Sequence, residues 1–131
     1  MTIERSEGSL PSDPVVLFVD DEEAALKSFR RFFARDPIVV RTASSGLHAL
    51  DLLAQEPVHL VVADYWMKEG MDGIALLAEV GRLYPEMSRL LFTGRPDSEI
   101  VLEAGVRVLT KDMDPGLIRR VILREAKRHA R

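Results

Sequence analysis

Residues 15–21 read Val-Val-Leu-Phe-Val-Asp-Asp, an apolar run that stops at two aspartates. The run is β-branched and aromatic and contains no polar residue, which is typical of a strand that is covered on both faces. From residue 22 to about residue 35, apolar side chains recur at helical spacing with charged residues between them. A buried strand that leads directly into an amphipathic helix indicates an α/β fold.

The same alternation continues along the rest of the chain. Further strands are predicted to begin at residue 38 and to cover 58–63, 89–92 and 106–109, and further helices are predicted over 46–55, 73–83, 96–103 and 115–129. Strands that alternate with helices predict a doubly wound, parallel, five-stranded sheet with helices on both faces. The polar residues 1–13 are predicted to be a flexible tail, and residues 14–131 are predicted to form a single domain.

Composition excludes several classes of protein. The chain has 131 residues, no cysteine and a net charge of −3, so disulfides and thiolate metal sites are excluded. Its three histidines are widely separated, and we expect no zinc site. We find no signal-peptide pattern and no apolar run close to the roughly 20 residues of a membrane span. We therefore expect a cytoplasmic protein that binds neither membranes nor, directly, nucleic acid.

Polar residues follow the predicted strands where each strand ends. In open parallel sheets the functional site lies beyond the carboxyl ends of the strands, and the residues found there are Asp20, Asp21, Asp64, Thr93 and Lys111. Clustered carboxylates repel each other unless a cation joins them, and Mg²⁺ suits such oxygen ligands together with a phosphate. A lysine and a hydroxyl can bind phosphate oxygens, and one carboxylate can act as a nucleophile. This set of residues predicts a site for phosphoryl transfer.

The strings VLFVDDEE, LVVADYWMKEGMDG, LLFTG and VLTK, in this order, resemble the receiver domain of bacterial two-component response regulators. The resemblance covers about residues 14–128 and implies a (βα)5 flavodoxin-like fold with strand order 2-1-3-4-5. It implies Asp64 as phosphoacceptor, Thr93 as the switch hydroxyl and Lys111 as the phosphate-contacting lysine. It also implies that Asp20, Asp21, Asp64 and the main-chain carbonyl of Trp66 are the ligands of Mg²⁺.

The resemblance also implies how the domain works. Members of the family take a phosphoryl group from a phosphohistidine on a histidine kinase or a histidine phosphotransfer domain, and they hydrolyse their own acyl phosphate slowly. On this reading the chain is not an enzyme that acts on a separate substrate. The downstream output partner, homodimer formation and whether the chain is part of a longer protein all stay open.

Four features depart from the usual family pattern. Lys68 replaces a proline, and one residue is inserted near Gly70, which predicts a longer loop after Asp64. The usual Lys-Pro is Lys111-Asp112, so the loop either has a trans bond or keeps the strain of a cis bond. Val108 replaces an aromatic switch residue, and the predicted fourth helix is short by about one turn.

Simpler interpretations compete with this one. Asp20 and Asp21 could be helix caps, Asp64 and Thr93 turn residues, and Lys111 a solvated surface charge. A receiver-like interaction domain that has lost phosphorylation and binds its partner constitutively is the main functional alternative. A phosphatase of the haloacid-dehalogenase type is disfavoured, because that class needs a second aspartate where this chain has Trp66.

Overall fold

The computed structural model describes residues 12–94 and 105–128, and strands alternate with helices throughout these ranges. The strands are β1 (Val15–Val19), β2 (Val39–Ala43), β3 (Leu60–Asp64), β4 (Ser88–Thr93) and β5 (Val106–Thr110). The helices are α1 (Glu23–Phe32), α2 (Gly46–Gln55), α3 (Gly73–Leu83) and α4 (Pro115–Lys127). The helix predicted over 96–103 lies outside the described residues. In the described part of the chain, we find no helix with both the length and the apolar character that crossing a membrane requires.

The five strands form one parallel sheet in the order β2-β1-β3-β4-β5, which confirms the predicted α/β class and strand order. The chain runs from β1 outward to β2 and then returns to the other side of β1 to form β3. This reversal places a switch point between β1 and β3, where open sheets of this kind hold their ligands. The register aligns the strand ends there, with Val19 opposite Ala63 and Asp64 opposite Phe92.

Apolar side chains fill both faces of the sheet. Alternate residues of one strand point to opposite faces, so Phe18 packs in one cluster and Leu17 in the other. The first cluster includes Leu26 of α1 and Ile122 of α4, and the second includes residues of α2 and α3. The sheet is therefore held between two layers of helix, and its central strands carry continuous apolar sequence because both of their faces are covered.

The strand bounds differ slightly from the predicted ones. Strands β4 and β5 are longer than predicted, whereas β3 begins two residues later than predicted, at Leu60, and ends one residue later, at Asp64. Strand β2 continues to Ala43 through Arg41 and Thr42, since an edge strand tolerates polar side chains that a central strand does not. Asp64 and Thr93 are the last residues of β3 and β4 and do not lie beyond them. Both side chains are therefore placed by the pairing of the sheet itself.

Candidate functional site

Three carboxylates meet at the switch point. Each of Asp20, Asp21 and Asp64 offers a carboxylate oxygen, and these atoms all lie within 4.8 Å of one another. Asp20 is 2% exposed. Burial raises the pKa of its carboxyl group above the usual value, the hydrogen bond from the Glu22 amide opposes this rise, and the Asp64 carboxylate adds to it. The negative charges of the cluster therefore lie close together, and the buried Asp20 carboxylate is poorly screened by solvent.

Hydrogen bonds of the main chain fix Asp20 at this position. Its amide donates to the carbonyl of Ala43 at 3.1 Å, which extends the pairing of β1 with β2 by one residue. Its Oδ1 accepts from the amide of Glu22 at 2.9 Å. Glu22 is the N-cap residue of α1 and makes no side-chain cap bond. Asp20 and Asp21 thus lie before the N-cap position of α1, and neither residue is an ordinary N-cap of this helix.

The loop between β3 and α3 closes over the acidic cluster. The amide of Lys68 donates to Oδ2 of Asp21 at 2.7 Å, and the amide of Gly73 donates to the carbonyl of Tyr65 at 3.0 Å. Met67 is buried, whereas Trp66 is 71% exposed. The loop is held at its base by the Gly73 contact, and the Lys68 amide ties it to the cluster.

Two glycines allow this loop to form. A Cβ atom on Gly73 would lie 2.1 Å from the carbonyl oxygen of Asp64, so a side chain there would displace the backbone of the predicted phosphoacceptor. Gly70 has a φ of +72°, a left-handed conformation that glycine adopts without strain. The residue that the resemblance predicts to be inserted near Gly70 would fall in this exposed turn. The sequence pattern pointed to Gly70 as the place of the insertion. It did not reveal the close approach at Gly73, although a glycine at the start of a helix was a signal for it.

Lys111 reaches the cluster from the neighbouring strand. Its Nζ lies 2.9 Å from Oδ1 of Asp64 and 5.6 Å from the centre of the Phe92 ring. Its amide donates to the carbonyl of Thr93 at 2.9 Å, which ties the end of β5 to the end of β4. The ammonium therefore neutralises part of the charge on Asp64, while the Lys111 side chain stays 41% exposed.

Asp112, which stands at the position of the usual proline, is hydrogen-bonded to Thr110. Its Oδ1 accepts from the hydroxyl of Thr110 at 2.6 Å. None of the described peptide bonds is cis, so the bond between Lys111 and Asp112 is trans. Of the two arrangements that the sequence left open for this loop, the structure has the trans one.

An open cleft of about 530 Å³ unites the predicted phosphate-binding groups, and it is lined by Glu22, Asp64, Tyr65, Trp66, Thr93, Gly94 and Lys111. Thr93 is buried at the end of β4, and Trp66 forms part of the rim. Glu22 and Gly94 also line the cleft, although the sequence pattern gave no sign of this. The cleft leaves Asp64 accessible from the edge of the sheet.

The donor set fits a hard divalent cation. Oxygen ligands from one or two carboxylates, completed by carbonyl oxygen, water and phosphate, suit Mg²⁺. Asp20, Asp21 and Asp64 would supply the carboxylates, and the carbonyl of Trp66 stays the predicted main-chain ligand. A cation there would also relieve the repulsion that contributes to the raised pKa of Asp20. The individual roles of these residues and of Thr93 and Lys111 stay predictions.

Comparison with solved structures places this geometry among signal receiver domains. The signal receiver domain of an HD domain-containing protein from Pseudomonas fluorescens Pf-5 is 32% identical, with a TM-score of 0.80 over 90% of this chain and 97% of that one. A structure described as an adenylate cyclase from Rhodopirellula baltica is 28% identical, with a TM-score of 0.77 over 88% of each chain.

Sequence comparison agrees. The transcriptional regulatory protein GlrR of Escherichia coli (strain K12) is 36% identical over 103 residues, which are 76% of this chain and 23% of that protein. The hydrogenase transcriptional regulatory protein HoxA of Cupriavidus necator is 36% identical over 95 residues, which are 70% of this chain and 19% of that protein. The chain therefore spans less than a quarter of the length of these relatives. The model of the response regulator receiver domain matches residues 16–123. The chain belongs to the response regulator receiver domain family of two-component systems.

Proposed function

We propose that Asp64 accepts a phosphoryl group from a phosphohistidine of a histidine kinase or histidine phosphotransfer domain in a reaction that requires Mg²⁺. The observation that carries this proposal is the shared setting of Asp64. Its carboxylate lies within 4.8 Å of Asp20 and Asp21 and 2.9 Å from the ammonium of Lys111. It opens into a cleft that Thr93 also lines.

The transfer needs positioning and charge neutralisation more than acid–base catalysis. An oxygen of Asp64 forms the new bond to phosphorus, the bond between phosphorus and the histidine nitrogen breaks, and its electron pair stays on the imidazole. The product is an acyl phosphate on Asp64. Bound Mg²⁺ would neutralise charge on the phosphoryl oxygens and on the carboxylates around them. The strand pairing that aligns β1, β3 and β4 supplies the orientation.

Two residues of the cleft can respond to the new phosphoryl group. Lys111 contacts an Asp64 oxygen before phosphorylation and can transfer its hydrogen bond to a phosphoryl oxygen afterwards. The Thr93 hydroxyl can donate to another phosphoryl oxygen, and the main chains of Thr93 and Lys111 are hydrogen-bonded to each other. A movement at Thr93 is therefore coupled to the end of β5. We propose that this coupled movement changes the interactions of the domain with its output partner.

Phosphorylation by a small-molecule donor tests the proposal. The chain is incubated with Mg²⁺ and acetyl phosphate, and a gain of one phosphoryl group is sought by intact-mass measurement. Beryllofluoride binding is followed in parallel through the fluorescence of the single tryptophan, Trp66, on the rim of the cleft. We expect both responses in the native chain and neither in Asp64→Asn.

A native chain that behaves like Asp64→Asn in both measurements would refute phosphorylation at this residue. The constitutive interaction domain would then be the better account. A partner pull-down that is indifferent to Asp64→Asn would support that alternative.

A further inference from the structure

The hydrogen bond between Lys68 and Asp21 has a feature that the usual family sequence cannot provide. The Lys68 amide lies 2.7 Å from Oδ2 of Asp21 across 47 positions of sequence. By the resemblance described above, Lys68 stands where the family pattern has proline, and proline has no amide hydrogen. This chain therefore gains a main-chain donor at the acidic cluster through the replacement.

We propose that the Lys68 amide is a positioning group that orients Asp21 for the divalent cation. This inference rests on the proposed Mg²⁺ site. The bond is short and charge-assisted, the stronger class of protein hydrogen bond. It engages Oδ2, and Asp21 still offers a carboxylate oxygen within 4.8 Å of those of Asp20 and Asp64. Hydrogen bonds of this kind fix the orientation of a metal ligand and contribute to metal affinity.

The loop around Lys68 is built to hold the amide in place. Met67, the preceding residue, is buried in the core cluster beneath α3, and the Gly73–Tyr65 hydrogen bond closes the base of the loop. The Lys68 side chain itself is exposed. The donor is thus a fixed main-chain group, and the charge of the lysine is not what contacts Asp21.

The turn at Gly70 connects the Lys68 contact to the start of α3. The insertion falls in the exposed turn at Gly70, after Lys68 and before the helix. Without a proline ring the chain at residue 68 can approach Asp21, and the turn at Gly70 returns it to Asp72, the N-cap of α3.

A proline substitution tests the proposal directly. Lys68→Pro removes the amide hydrogen, whereas Lys68→Ala removes the side chain and keeps the amide. Glu69→Pro places the same ring one residue later and keeps the Lys68 donor. Mg²⁺ is titrated into each variant and the fluorescence of Trp66 is recorded. We expect Lys68→Pro to bind Mg²⁺ about 10-fold more weakly than Lys68→Ala, with Glu69→Pro close to Lys68→Ala.

The outcomes separate this inference from the proposed function. Equal affinities of Lys68→Pro and Lys68→Ala, or tighter binding by Lys68→Pro, would overturn the positioning role while leaving the Mg²⁺ site intact. A native chain that shows no Mg²⁺ binding by fluorescence or calorimetry would instead refute the proposed metal site, and the positioning role with it.

Hydrogen exchange provides a measurement that needs neither metal nor a proline variant. The chain has four lysines, so labelling with ¹⁵N-lysine yields few amide signals, and Lys68→Ala identifies the signal of residue 68. In the metal-free native chain we expect the Lys68 amide to exchange slowly, although its side chain is exposed. Asp21→Ala should accelerate that exchange at least 10-fold and leave the helical Lys127 amide unchanged. Identical exchange of Lys68 in both proteins would overturn the proposal.

Discussion

At the scale of single residues, Asp20 provides a buried carboxylate to the acidic cluster and lowers the stability of the metal-free domain. The carboxylate is almost fully buried next to two others, and its pKa is raised. A raised pKa means that the folded chain binds this proton more tightly than the unfolded chain does. The contribution of Asp20 to stability is therefore most favourable below the unfolded pKa of about 4 and is lost as pH rises through the folded pKa. At neutral pH the ionised Asp20 destabilises the metal-free domain.

Replacement of Asp20 by asparagine should consequently raise stability and weaken cation binding. Asparagine can keep the Oδ1 contact with the Glu22 amide, and it removes the repulsion by the other carboxylates. We expect the melting temperature of the metal-free chain to rise by about 2–5 °C at pH 7. The gain should shrink as pH falls towards 4, because Asp20 is then protonated in the native chain.

Thermal melts at several pH values, with and without Mg²⁺, measure both effects. Addition of Mg²⁺ should stabilise the native chain more than Asp20→Asn, since a ligand stabilises the folded state that binds it. A variant that melts below the native chain at pH 7 without metal would contradict the assignment of repulsion to this group.

At the scale of elements, the junction of β3 with α3 sets the position of Asp64. The first residue of α3 is Gly73, and its backbone packs directly on the carbonyl group of Asp64. The start of α3 and the end of β3 are therefore so close that no side chain fits between them. This close approach fixes where the longer loop leaves the strand and where it returns.

Substitution of Gly73 by alanine should disturb both stability and the site. The added Cβ would clash with the carbonyl group of Asp64. This group belongs to the main chain, so a change of side-chain rotamer cannot relieve the clash. We expect a loss of about 3 kcal/mol in the free energy of unfolding and slower phosphorylation by acetyl phosphate. Denaturant titration and intact-mass time courses provide the two measurements.

Gly70→Ala is the matched control for this prediction. No atom lies within 4 Å of the Cβ position at Gly70, so the variant meets backbone strain from its positive φ without a clash. That strain costs about 1 kcal/mol. Equal losses in the two variants would show that the contact between Gly73 and Asp64 is not a constraint.

At the scale of the whole molecule, the sheet joins two cores into one folding unit. Strands β1, β3 and β4 contribute alternate residues to both apolar clusters. Separation of either helix layer from the sheet would therefore expose one face of these same three strands. The Asp36 carboxylate also accepts a hydrogen bond from Nε of Arg119 at 3.0 Å, which joins the turn after α1 to α4. The described residues should unfold together.

Truncation of one core residue on each face tests this cooperativity. Leu77 of α3 and Ile122 of α4 are almost fully buried in different clusters. We expect Leu77→Ala and Ile122→Ala each to lower the free energy of unfolding by about 2–5 kcal/mol. Circular dichroism and Trp66 fluorescence should report one coincident transition for both variants. Separate transitions in either variant would show that the two faces unfold independently.

The amino-acid sequence by itself determined the class of fold and the neighbourhood of the site. Burial of a strand on both faces requires continuous apolar sequence, so β1 and β3 are recognisable locally. Parallel strands bring their carboxyl ends to one edge, and the order 2-1-3-4-5 followed from the resemblance. The proximity of Asp20, Asp64 and Lys111 could therefore be predicted without coordinates.

The tertiary structure alone decided the contacts that surround these residues. The bond from Lys68 to Asp21, the approach of Gly73 to Asp64 and the turn of Asp112 towards Thr110 were not predictable. Apolar periodicity reports which face of an element is buried, and it carries no information on the path of an irregular loop. That path depends on which main-chain donors meet which acceptors after the sheet has brought distant segments together, and only the folded chain makes that choice.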